Sequence, residues 1–95
     1  MPSYLVETFL ARRDADARTG GEARARSAVE ALTRSGICVG FDGVIHVPED
    51  ETCFFVFVAE STADAARAAR LAQLDPVRIV EAVTSQPAQR EWNDD

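Results

Sequence analysis

The stretch Thr52-Cys53-Phe54-Phe55-Val56-Phe57-Val58-Ala59 decides which fold this sequence can adopt. It consists mainly of aromatic and β-branched residues, which favour β-strands. Both alternating sets of its side chains are apolar, so neither face of the strand is suited to water. We therefore predict a strand at the centre of a sheet, with both of its faces covered.

Three further strands are predicted, two before this one in the sequence and one after it. Residues 4–10, 37–47 and 77–83 have the length and composition of strands. Residues 48–51 form a turn that begins with proline, so the strands on its two sides are expected to pair antiparallel. Gly40 and Gly43 lie inside the second strand and warn of a bulge or a bend.

The first of two helices is predicted between the first and second strands. Residues 12–21 are polar and end in Gly20-Gly21, which predicts a loop. Thr19 and Glu22 have the spacing of a capping box, and Gly36 is placed to end the helix. The apolar stripe of this helix comprises Ala25, Ala28, Val29 and Leu32.

The second helix is predicted to begin at Ser61, which has the same cap spacing to Asp64. Because its inner stripe is alanine throughout, this helix should lie close to the sheet. The stripe consists of Ala65, Ala68, Ala69 and Ala72.

Two successive strand–helix–strand units with right-handed crossovers predict an α+β fold of the ferredoxin-like, βαββαβ type. The four-stranded antiparallel sheet then has its first and third strands in the middle and both helices on one face. Residues 1–84 are predicted to form this single domain, and residues 85–95 a mobile polar tail.

Composition narrows the classes of function. The net charge is −6 and the basic residues form no stripe, so we expect no nucleic-acid partner. No apolar run is long enough to span a membrane and no signal peptide is evident, which predicts a soluble, cytoplasmic protein.

All ten basic residues are arginine, a bias typical of GC-rich genomes such as those of actinobacteria. Without lysine, Schiff-base chemistry is excluded.

The sheet face opposite the helices, which we call the open face, is expected to be buried against another surface. Either Cys53, Phe55 and Phe57 or the alternate set of the same strand must lie there. An apolar patch of this kind is unusual on a soluble monomer. We therefore expect a homodimer in which two sheets pack face to face, as in dimeric α/β-barrel proteins.

Polar residues of two strands are candidates for a binding site. Strict alternation places Asp42 and His46 on the open face of the second strand, with Val39, Phe41, Ile45 and Val47 toward the helices. In the first strand, Tyr4, Val6 and Leu10 are expected in the core, which places Glu7 on the open face. Glu7, Asp42 and His46 could then line a small pocket, with Glu7 or His46 as an acid or base. A bulge at Gly43 would reverse the faces that follow it.

The two cysteines, Cys38 and Cys53, have no metal-motif spacing. In the predicted hairpin, paired residue numbers sum to about 99, so Cys38 lies well away from Cys53. Two free thiols are therefore expected.

Three segments resemble a known family: residues 1–7, residues 53–61 and residues 74–81. They are similar to small ferredoxin-like bacterial proteins that carry a domain of unknown function, one branch of which binds nickel. The likeness extends over residues 1 to about 84. It implies a ligand- or metal-binding role, with Phe41 at the family's aromatic position and Glu7 and His46 as candidate metal ligands. Gly43 and Val44 occupy positions where the family has polar groups, and His46 is displaced by three residues from the family histidine.

Three hypotheses about function follow. The first is a protein that binds a small molecule or a transition metal such as nickel. The second is a cofactor-free enzyme, because the paired fold resembles dimeric α/β-barrel monooxygenases, isomerases and cyclases. The third is a non-catalytic interaction module that uses its apolar sheet face.

Overall fold

The strands and helices follow one another in the predicted order in the structure, a computed structural model that describes residues 1–83. The elements are β1 (Ser3–Phe9), α1 (Ala15–Arg34), β2 (Val39–Val47), β3 (Thr52–Ala59), α2 (Thr62–Leu71) and β4 (Pro76–Ala82). The strands form one antiparallel sheet in the order β2-β3-β1-β4. The ferredoxin-like fold is thus confirmed, and the predicted tail lies outside the described residues. Neither helix is long and apolar enough to span a membrane in this part of the chain.

The core forms between the helices and alternate residues of the two central strands. Tyr4 and Val6 of β1 are buried there, and Cys53, Phe55 and Phe57 are buried from β3. The other set of β3, which includes Phe54 and Val56, therefore lies on the open face. The predicted alanine stripe of α2 is also buried, and Ser61 accepts a hydrogen bond from the backbone N–H of Asp64 at 3.2 Å. The predicted core of β1 and the second helix are confirmed.

Helix α1 begins at Ala15, four residues before Thr19, where the predicted capping box starts. It runs from Ala15 straight through Gly20-Gly21, so the predicted loop and the Thr19 cap were wrong. Tertiary packing explains Gly21, because a Cβ atom there would lie 2.7 Å from the Phe55 ring. Gly36 does end the helix as predicted, since it follows the C-cap residue with a φ of +90°.

A bulge at Gly43 changes the faces of β2. Phe41 pairs with Phe57 and Gly43 pairs with Val56, which leaves Asp42 without a partner in the ladder. Gly43 has a φ of +120°, a conformation that favours glycine. Residues after the bulge lie on the faces opposite to those predicted, so the predicted core positions of Ile45 and Val47 were wrong.

The edge strand β4 contributes little to the core. Ile79 packs against the core, but Val77 and Val83 are exposed. The register between β1 and β4 shifts after Glu7, which disrupts simple alternation at this edge.

The close approach of α1 to β3 yields a stability prediction. Gly21→Ala should lower the free energy of unfolding by about 1–3 kcal/mol, because its methyl group overpacks against the Phe55 ring. Gly20→Ala is the matched control, since its methyl group would meet only the flexible end of Arg24 at 3.3 Å. It should raise stability by about 0.5–1 kcal/mol through helix propensity. Urea denaturation of both variants measures the difference, and equal effects would contradict the packing argument.

Candidate functional site

The residues predicted to form a pocket do not share one face of the sheet. Glu7 lies on the open face, where it pairs with Phe54. His46 pairs with Cys53, whose side chain is buried on the helix side, so the bulge has moved His46 to the helix side as well. Asp42 is exposed at the bulge. The predicted grouping of Glu7, Asp42 and His46 was therefore wrong.

Glu7 is already engaged by a charged partner on the open face. Nε of Arg78 on β4 donates a hydrogen bond of 2.8 Å to Oε1 of Glu7. The carboxylate is mostly shielded, whereas the Arg78 side chain is largely exposed. Glu7 is thus half of an ion pair within an apolar surface, a different setting from the isolated carboxylate predicted as a base.

Phe41 has a packing role on the helix side. Its ring centroid lies 5.3 Å from that of Phe57 and 6.3 Å from that of Phe55. The guanidinium carbon of Arg26 lies 5.2 Å from the centroid of the Phe41 ring, within range of a cation–π interaction. These contacts tie β2 to α1 and β3, and they place Phe41 away from Glu7.

The predicted metal ligands cannot meet on one ion within a chain. Glu7 and His46 lie on opposite faces of the sheet, as their strand partners show. Across residues 1–83, no group of three or more His, Cys, Asp and Glu side chains could hold a metal ion. His46 Nε2 is buried and has no hydrogen-bond partner among these residues.

A cavity of about 140 Å³ lies between the first half of α1 and one end of the sheet. Its walls come from four parts of the chain that meet at this end. The lining residues are Thr8, Phe9 and Leu10 at the end of β1, Ala17, Arg18, Gly21 and Arg24 on α1, Cys53 and Phe55 on β3, and Gln73, Leu74 and Asp75 between α2 and β4. We call this space the α1 cavity.

Two arginines bring positive charge to the α1 cavity. Nε of Arg24 donates a hydrogen bond of 2.8 Å to the backbone carbonyl of Ala72, which fixes the direction of that side chain. Nε of Arg18 is buried and has no hydrogen-bond partner in the described chain. Oε1 of Glu22 forms an ion pair with this Nε at 3.7 Å, a distance too long for a hydrogen bond.

Cys53 contributes a neutral thiol to the cavity wall. Burial raises the pKa of the Cys53 thiol, while the positive charge of Arg18 opposes this rise and the negative charge of Glu22 adds to it. Thr8 cannot readily donate to a ligand, because its hydroxyl donates to the Cys53 carbonyl at 3.1 Å. The cavity wall therefore combines guanidinium groups with mainly apolar side chains.

Sequence reasoning missed this site because it placed part of the site in a loop. Arg18 falls within residues 12–21, which were predicted to be irregular, so its side chain could not be assigned to any face. The sequence carries one relevant signal: Ala17, Gly21 and Arg24 recur at helical spacing and extend the predicted stripe toward the N-terminus.

Comparisons with known proteins give no match to this chain. No protein-family model matches, and neither a curated protein nor a solved structure does. The resemblance to nickel-binding ferredoxin-like proteins thus stays a prediction.

The two thiols should differ sharply in reactivity. Cys38 is exposed and Cys53 is buried, and both are free. At mildly alkaline pH, a thiol reagent should modify Cys38 rapidly and Cys53 only on unfolding, because Cys53 is buried and its raised pKa keeps it protonated. Cys38→Ser should remove the fast phase. Fewer than two thiols after denaturation without reductant, or two fast thiols in the native protein, would contradict this assignment.

Proposed function

We propose that this protein binds a small organic ligand in the α1 cavity. The observation that carries the proposal is that two arginines, Arg18 and Arg24, line one cavity together with apolar side chains such as Phe55. Guanidinium groups can donate several hydrogen bonds, so they can hold a ligand that accepts them.

The composition of the cavity wall favours binding over catalysis. Guanidinium groups such as those of Arg18 and Arg24 bind anions in proteins and do not serve as general bases. Acid–base chemistry would therefore fall to Cys53, whose pKa is raised by burial, or to the exposed Asp75 at the wall. Within residues 1–83, no hydrogen bond joins either side chain to a base, as nucleophilic catalysis would require.

Nickel binding, which the family resemblance implies, stays a separate prediction. Glu7 and His46 lie on opposite faces of the sheet, so they would have to act in different sites. An organic ligand in the α1 cavity requires neither residue.

A second proposal concerns assembly, because the open face is apolar around the Glu7–Arg78 ion pair. Phe9 and Ile45 are exposed to 67% and 51%, and both lie on this face. Two copies packed sheet to sheet would bury the patch, with the Glu7–Arg78 pair leaving it without net charge. The other apolar members of the face are Leu5, Val47, Phe54, Val56, Val58 and Val80.

Ligand binding is tested with small aromatic probes and a variant that fills the cavity. Benzyl alcohol and benzoate should shift amide NMR signals of residues that line the α1 cavity, and Ala17→Leu should abolish both responses by occupying the space. Ala23→Leu is the matched control, because Ala23 is another exposed alanine of α1 that does not line this cavity. If neither probe shifts these signals in the unaltered protein, the proposed function is wrong.

Homodimerisation is tested by light scattering after size exclusion at micromolar concentration. The protein should elute with about twice the chain mass of 10.3 kDa. Val56→Asp places a charge at the centre of the open face and should yield monomers. Ala63→Asp, at an exposed position of α2, is the control and should remain dimeric. A monomeric unaltered protein would refute the proposed assembly.

A further inference from the structure

We infer that the α1 cavity selects a small carboxylate with an apolar body about the size of one aromatic ring. This inference rests on the proposed ligand-binding function and adds the chemical class of the ligand. It follows from the size of the cavity, the position of its charges and the hydrogen-bond donors that remain available.

The volume sets the size of the buried part of the ligand. The cavity measures about 140 Å³. An apolar protein cavity of about 150 Å³ is known to admit benzene. Phe55, Leu74 and Leu10 supply apolar wall, so a ring or a short branched chain can replace water there favourably.

The guanidinium groups of the cavity determine which polar group of a ligand binds there. Arg18 and Arg24 are one helical turn and a half apart on α1, and both reach the same cavity. Nε of Arg24 is held by the Ala72 carbonyl, so its terminal nitrogens remain as donors. A guanidinium group matches a carboxylate in shape and charge and forms strong charge-assisted hydrogen bonds with it.

Negative groups near the cavity offset part of this charge. Glu22 on the same helix forms an ion pair with Arg18, with its Oε1 3.7 Å from Nε. Asp75 lies at the wall and is exposed to water, which screens its charge. The charged residues that line the cavity are two arginines and one aspartate, so its wall carries an excess of positive charge.

The decisive comparison uses two probes of nearly the same shape. Benzoate should bind about tenfold or more tightly than benzyl alcohol, because only benzoate forms charge-assisted hydrogen bonds. Added salt should weaken binding of benzoate and leave that of benzyl alcohol unchanged. Both measurements use the unaltered protein, so they do not depend on the folding of a variant.

Substitution then assigns the effect to Arg18. Arg18→Gln should weaken benzoate binding about tenfold and leave benzyl alcohol binding unchanged. Arg67→Gln removes an exposed arginine of α2 that does not line the cavity, and it should bind both probes normally.

The outcomes separate this inference from the proposed function. If both probes bind in the cavity with equal affinity and equal salt dependence, the protein binds small ligands but the preference for carboxylates is wrong. If Arg18→Gln and Arg67→Gln weaken benzoate binding alike, Arg18 does not select the ligand and the inference is overturned. If neither probe binds, the proposed function fails, and this inference fails with it.

Discussion

The contact between Gly21 of α1 and the Phe55 ring of β3 is the constraint on which the other features of this domain depend. A Cβ atom at position 21 would overlap the ring, so the absence of a side chain lets the helix approach the central strand. This approach holds the first half of α1 over the end of the sheet. Arg18, which lies one turn before Gly21, is thereby placed on the wall of the α1 cavity beside Cys53.

A second constraint, the bulge at Gly43, separates the two faces chemically. It reverses the alternation of β2, so that Val44 packs toward the core and Ile45 faces outward. His46 moves to the helix side with Val44, while Glu7 remains on the open face and pairs with Arg78. The result is an open face with aliphatic and aromatic groups around the Glu7–Arg78 ion pair, and a helix side on which His46 lies opposite Cys53.

These two faces suit different tasks, and the proposals follow that division. The open face offers area without depth, which suits association with a second flat surface. The α1 cavity offers depth, positive charge and a neutral thiol, which suits a small ligand that accepts hydrogen bonds. The two surfaces meet at Phe9, which is exposed on the open face and also lines the α1 cavity.

The sequence by itself determined the order of the elements, the central position of β3 and the alanine face of α2, because these depend on local periodicity and on caps such as Ser61. It also predicted correctly that Glu7 lies on the open face. Only the tertiary structure decided that α1 continues through Gly20-Gly21, since the gain from packing against Phe55 outweighs the poor helix propensity of glycine. The face of His46 and the site at Arg18 were likewise beyond local reasoning. The face of His46 depends on whether a single residue is left out of the β2–β3 ladder. The site at Arg18 depends on which distant segments meet at the end of the sheet.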